Sequence, residues 1–151
     1  MELLPIQERL EDNAEFLTRP ECAASLEMTV KYIASLGYHP PWIGYYASQH
    51  GELVGTAAFK GRPGSGRVEI AYGTFDDHQG KGVGGAICTA LVKLSLDTDP
   101  SVVITARTLP EENHSTRILR KNGFVLEGVV MDDDDGEVWE WVRKGSIVNG
   151  R

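Results

Sequence analysis

The sequence predicts a single domain of α/β (α+β) class, built on a mixed, mostly antiparallel central sheet flanked by helices. Three observations carry this expectation. Apolar residues recur at intervals that switch along the chain between strand and helix spacing. Two β-prone stretches double back at His50-Gly51 and Asp135-Gly136, dipeptides with turn chemistry. The resulting order is helix, three strands, helix, strand, helix and two strands, which does not suit a doubly wound parallel sheet.

Each element has its own local reason. Thr18-Arg19-Pro20-Glu21 has the form of a capping box with proline in the first turn, and Leu26, Val30 and Ile33 follow at helical spacing before Gly37. A helix is predicted over residues 19 to 36. Ile43 to Ser48 and Leu53 to Lys60 form a hairpin, and Arg67 to Phe75 a third strand. Val83, Ile87, Ala90, Leu91 and Leu94 mark one face of a helix ending near Asp97-Thr98-Asp99-Pro100. Ser101 to Thr108 reads as a buried strand. A short helix runs from about His114 to Asn122, stopped by Gly123, and Val125 to Met131 pairs with Val138 to Val142. Upstream, Glu2 to Ile6 has the composition of an edge strand, and the rest of residues 1 to 17 carries no pattern.

With 151 residues, 41% of them hydrophobic, the chain can bury a core as one domain without staples. Its opening, MELLPIQERLEDN, lacks the basic and apolar regions of a secretory signal, and no run approaches the roughly 18 apolar residues of a membrane span. A cytoplasmic protein with no membrane partner is expected. Cys22 and Cys88 stand outside any CxxC or Cys/His cluster, and His50, His78 and His114 lack ligand spacing, so neither a disulfide nor a metal is predicted. The formal charge of −7 opposes binding to nucleic-acid phosphates and inclines toward cationic partners such as amines.

The segment Gln79-Gly80-Lys81-Gly82-Val83-Gly84-Gly85 lies between a predicted strand and an amphipathic helix. Its glycines let the backbone approach a pyrophosphate, whose charge the unpaired amides and the helix dipole stabilise. Gly80, Gly82 and Gly85 also satisfy GxGxxG, but the intervening Asp76-Asp77-His78-Gln79 and the two hairpins argue against a dinucleotide fold.

Gln79-x-x-Gly82-x-Gly84 resembles the Q/R-x-x-G-x-G/A signature of the GNAT acetyltransferases. Thr105 to Ser115, running on to Asn122-Gly123-Phe124, looks like that family's second motif, in the branch similar to ribosomal-protein N-terminal acetyltransferases, as does Phe59 to Thr74. The matching stretches cover about residues 42 to 142. The resemblance implies a V-shaped acetyl-CoA cleft between strands ending near Thr74 and Thr108, with acetyl-CoA as cosubstrate. It implies direct transfer of the acetyl group to a primary amine of a small molecule or of a peptide or protein N-terminus. A non-catalytic acyl-CoA-binding domain on the same fold is the alternative, and a homodimer is left open.

The same resemblance distributes the roles. Thr74, Phe75, Gln79, Gly80, Lys81, Gly82, Val83, Gly84, Gly85 and Asn113 fall at cofactor-binding positions. Glu69 falls where some members carry a general base, and Ser115 where the thioester sulfur is met. Glu is disfavoured on strands, which singles out Glu69 independently, although its alternation with apolar Val68 and Ile70 equally suits a residue that faces solvent or pairs with an arginine. Asn113 and Ser115 equally suit a helix start. Two departures stand out: Leu119 occupies the place of a frequent acid tyrosine, and Glu112 that of the common asparagine. Trp42, Tyr45 and Tyr72 are candidates for the acceptor wall, as aromatic residues with polar tips.

Overall fold

Seven strands join in one sheet in the computed structural model, which describes residues 1–144. They are β1 (Glu2–Pro5), β2 (Gly44–Gln49), β3 (Glu52–Phe59), β4 (Arg67–Thr74), β5 (Val103–Thr108), β6 (Phe124–Asp132) and β7 (Gly136–Arg143). The helices are α1 (Ala14–Leu17), α2 (Ala23–Leu36), α3 (Val83–Thr98) and α4 (His114–Lys121). The strand order is β1-β2-β3-β4-β5-β7-β6, and only the β4–β5 pair is parallel. This is the mixed, mostly antiparallel sheet that the sequence predicts.

Turn chemistry sets the hairpins. His50 and Gly51 both take positive φ, 54° and 82°, as a two-residue turn between right-twisted strands requires. At the other hairpin, Asp132 Oδ2 accepts the amides of Asp134 and Asp135 at 3.1 and 3.2 Å. Hydrophobic patterning does not reveal that β7 lies inside β6, next to β5.

The entry to α2 differs from the expected capping box. Thr18 closes α1 in helical conformation, Pro20–Cys22 form a separate 3-10 turn, and α2 starts at Ala23 with no side-chain cap. Thr18 and Glu21 therefore do not cap it, because the chain turns twice where a single helix is predicted. The unpatterned N-terminal segment is organised by one buried polar residue: Asn13 accepts the Gln7 amide at 2.7 Å and donates to the carbonyls of Gln7 and Arg9 at 3.2 and 2.9 Å. Burial with all these bonds made turns a polar side chain into a folding constraint.

Both faces of the sheet are covered. On one, Ile87, Cys88 and Leu91 of α3 and Ile118 and Leu119 of α4 pack with Val68, Ile70, Ile104 and Trp141. On the other, Ile6, Phe16, Cys22 and Leu26 pack with Tyr46 and Leu53. Strand alternation therefore turns Val68 and Ile70 toward α3, and Glu69 and Ala71 toward α2.

Close approach of β3 and β4 makes Gly55 indispensable: a Cβ there would lie 2.2 Å from the Gly73 carbonyl oxygen and 2.9 Å from Ile87 Cδ1. Gly55→Ala should therefore cost about 1–3 kcal/mol or more, through forced backbone displacement. Chemical denaturation against the wild type measures it, and an unchanged midpoint would refute the packing argument.

Candidate functional site

The site begins where β4 and β5 part. Their parallel pairing runs from Arg67↔Val103 to Ile70↔Ala106 and stops, although β4 continues to Thr74. The end of β5 is held on its other side by β7, through Thr105↔Val142 to Thr108↔Trp139 and a 3.0 Å bond from Trp141 Nε1 to Thr108 Oγ1. The β5-facing backbone edge of residues 71 to 74 consequently has no strand partner, and a V-shaped opening results. Unpaired edge groups of this kind bind an extended ligand readily.

The glycine turn sits at the end of β4. Gly80 and Gly82 both have φ of 76°, a left-handed conformation that disfavours other residues. Gly82 is the N-cap of α3, with no side chain capping it, so the first amides of the helix point outward unpaired. Added Cβ atoms at Gly80, Gly82 or Gly85 would meet nothing within 4 Å, whereas one at Gly84 would come 3.0 Å from Ile118 Cδ1 and 3.4 Å from Thr74 Oγ1. Gly84 thus serves the packing of α3 against β4 and α4, while the others line open space. Gln79 Nε2 donates to the Thr74 carbonyl at 3.0 Å, tying turn to strand. Phe75 donates its amide to the Val54 carbonyl at 2.9 Å and packs near Tyr46. Val83 is buried beneath the turn and Lys81 is exposed beside it. An uncapped helix start with an exposed glycine backbone fits a pyrophosphate.

At the start of α4 a reciprocal capping box forms: Asn113 Oδ1 accepts the Thr116 amide at 3.1 Å, and Thr116 Oγ1 accepts the Asn113 amide at 2.9 Å. The asparagine's acceptor is therefore used by the helix. Ser115, in the same first turn, is exposed and makes no side-chain hydrogen bond among the described residues. Glu112 binds Arg120 at 2.7 Å, and Leu119 is buried in the core, so neither stands in the opening.

On the opposite face, a cavity of about 710 Å³ lies between α2 and the sheet. It exists because the strands present small residues there: Gly44, Thr56, Ala58 and Ala71 make its floor, against Met28 and Tyr32 of α2. Trp42, Tyr45 and Tyr72 all line it. Trp42 packs edge-on to Phe59, with ring centroids 5.0 Å apart. The polar tips of the tyrosines are engaged elsewhere. Tyr45 donates to the Pro41 carbonyl at 2.6 Å, and burial pushes its phenol up to about 12. Tyr72 reaches across to the Cys88 thiol, and burial raises its phenol strongly.

The pairing of Glu69 with an arginine, left open by the sequence, is part of an ionic network at the rim whose other members sequence reasoning missed. Glu69 Oε2 lies 3.3 Å from Lys60 Nζ, and its Oε1 lies 3.8 Å from Arg107 Nε. Arg107 also binds Asp132 at 2.8 Å and Glu140 at 3.3 Å. The discoverable signal was register: Glu69 pairs with Thr105 on a parallel strand, which sets Arg107 two residues further on the same face. The Arg107 guanidinium, then the amides of Asp134 and Asp135, hold the Asp132 carboxyl below the usual carboxylate range.

The sequence of residues 3–125 matches the family described as acetyltransferase (GNAT) domain. No curated protein matches the chain. Among solved structures it is similar to a spermidine N-acetyltransferase SpeG chimera from Vibrio cholerae and hSSAT, at 15% identity over 100% of both chains, with a TM-score of 0.71. It is also similar to AAC(6')-Ib in complex with ribostamycin and coenzyme A, at 23% identity over 97% of this chain and 94% of that one, with a TM-score of 0.69. A ribosomal-protein-alanine N-acetyltransferase from Brucella melitensis aligns at 16% identity over 95% and 99% of the two chains, with a TM-score of 0.65. At such identities the likeness is one of fold. Among the described residues, no helix is long and apolar enough to cross a membrane.

The Asp132–Arg107 pair has a pH consequence with a definite sign. A carboxyl depressed in the folded state contributes stability that is present above its unfolded pKa, about 3.9, and is lost as pH falls through the lower folded value. Asp132→Asn should accordingly lower Tm at pH 6, with a deficit that shrinks as thermal scans go below the unfolded pKa of about 3.9. A deficit that is constant with pH would remove the pair from the account.

Proposed function

The chain belongs to the GNAT acetyltransferase family, whose members are acetyl-CoA-dependent N-acetyltransferases, and from that premise we propose which residues carry the reaction here. The observation that bears most weight is the uncapped glycine turn at the mouth of the opening between β4 and β5. Acetyl-CoA supplies an acetyl group activated as a thioester. Amides of Gly80 to Gly85 hold the pyrophosphate, with Gln79 bracing the turn through its side chain, Lys81 adding charge and Val83 anchoring the turn. The open backbone edge at Thr74, just before Phe75, receives the pantetheine arm, and the Thr74 amide donates to the oxygen on which negative charge develops. Asn113 contributes by fixing the helix start that presents Ser115.

The acceptor is a primary amine of a small molecule or peptide, entering past Trp42, Tyr45 and Tyr72. Glu69, held at the rim between Lys60 and Arg107, takes the amine proton through water, and the Ser115 hydroxyl donates to the departing thiolate. Transfer is direct. Burial pushes the Cys88 thiol up to about 11, so it stays protonated at neutral pH and is a poor nucleophile. Cys22 and Cys88 are both free and buried, which suits a reducing cytoplasmic location.

Two experiments test the assignment. Gly82→Asp puts bulk and negative charge beside the pyrophosphate at a position of φ 76°, and calorimetry should register a large loss of acetyl-CoA affinity; unchanged affinity in a folded variant refutes the site. For catalysis, Glu69→Gln should lower kcat/KM by roughly 10²- to 10⁴-fold, with partial recovery at high pH where free amine accumulates. Ser115→Ala should instead lower kcat at every pH. Near-wild-type rates for Glu69→Gln would return that residue to a purely structural place in the ion network.

A further inference from the structure

The cavity on the α2 face has a selective chemistry. Its wall and floor are apolar or small, including Ile6, Met28, Ile43, Ala58, Phe59 and Ala71. Its volume, about 710 Å³, suits a small molecule. Charge enters at only two of its lining residues, Lys60 and Asp134. The neighbouring carboxylates Glu69, Asp132 and Glu140 are paired with Lys60 or Arg107, whereas Asp134 has no ion-pair partner among the described residues. Hydroxyls are also partly committed: Ser25 shares a 2.7 Å hydrogen bond with the Tyr46 hydroxyl, and Tyr45 is bonded to Pro41.

Resting on the N-acetyltransferase reading, we propose that the acceptor is a small primary monoamine with an apolar aliphatic or aromatic body. The body fills the cavity between α2 and the floor of β2–β4, and the single ammonium group faces the rim at Asp134 and Glu69. A polyamine or aminoglycoside would carry further ammonium groups against walls that offer no unpaired carboxylate beyond Asp134. A peptide would find side-chain partners mainly in a few hydroxyls, such as those of Thr29, Tyr32 and Thr56, and would leave most of its amides unpaired there. Removing apolar surface from water instead favours each added methylene that the cavity can hold.

The test measures CoA release with propylamine, butylamine, pentylamine and hexylamine, with 2-phenylethylamine, spermidine and kanamycin, and with an alanine-headed tetrapeptide. The expected result is a rise in kcat/KM of up to about 4-fold per methylene along the alkyl series, with hexylamine and phenylethylamine above spermidine, kanamycin and the peptide. A flat series, preference for any of the three polar acceptors, or no acetylation of the apolar amines overturns the inference. Acetyl-CoA titration separates the two levels: absent binding defeats the acetyltransferase reading itself, whereas binding with polar acceptors preferred defeats only the acceptor class. Ala58→Leu, on the floor, should raise KM for hexylamine at least 5-fold without altering acetyl-CoA affinity. Met28→Lys, at an exposed position on α2 and so safe for folding, should do the same by putting a charged side chain where the wall meets the apolar body. An unchanged KM in the folded Met28→Lys protein refutes the placement.

Discussion

Everything about this site depends on one hydrogen-bonding constraint: β5 has two edges, and their pairings are out of step. It pairs with β4 from Val103 to Ala106 and with β7 from Thr105 to Thr108. Where β7 takes over, β4 loses its partner but keeps its course to Thr74 along β3. A right-twisted sheet with one parallel pair amid antiparallel ones is thereby prised open at that pair. The buried Trp141 indole and its bond to Thr108 hold the far side of the opening in place.

The two faces of β4 then serve different chemistry. Residues toward α3 are bulky and buried, so the strand is pinned and the glycine turn following it has a fixed origin, reinforced by Gln79 on the Thr74 carbonyl. Residues toward α2 are small, and the helix cannot follow the sheet closely along its whole length. At Gly44 an added Cβ would lie 2.9 Å from Thr29 Cγ2, while the small side chains of Thr56, Ala58 and Ala71 leave the cavity open.

Between these faces, Arg107 gathers Glu69, Asp132 and Glu140 from three strands, β4, β6 and β7. Half-buried, charge-assisted bonds to a planar guanidinium fix geometry more firmly than exposed pairs do. The network sets the long β6–β7 hairpin against the rim and brings Asp134 to the cavity. Asp134, within the acidic tip Asp132 to Asp135, thereby comes to line the cavity.

Local signals determined much of this protein. Turn dipeptides and alternation place the hairpins at His50-Gly51 and Asp135-Gly136, and the glycine segment marks an anion-binding helix start, because φ angles and helix dipoles depend on neighbouring residues alone. The same locality misled at Thr18, where a capping pattern is present but α1 claims the residue for its own end. Asn113 carries both readings, and the helix start settles its acceptor on Thr116. Only the tertiary structure decided that β7 sits inside β6, that Leu119 is core, that Tyr45 and Tyr72 spend their hydroxyls away from the cavity, and that Glu69 meets Lys60 and Arg107. Those outcomes follow from which strand edges pair across long sequence separations, and hydrogen bonds between backbone edges carry no mark of their partner in the residues that form them.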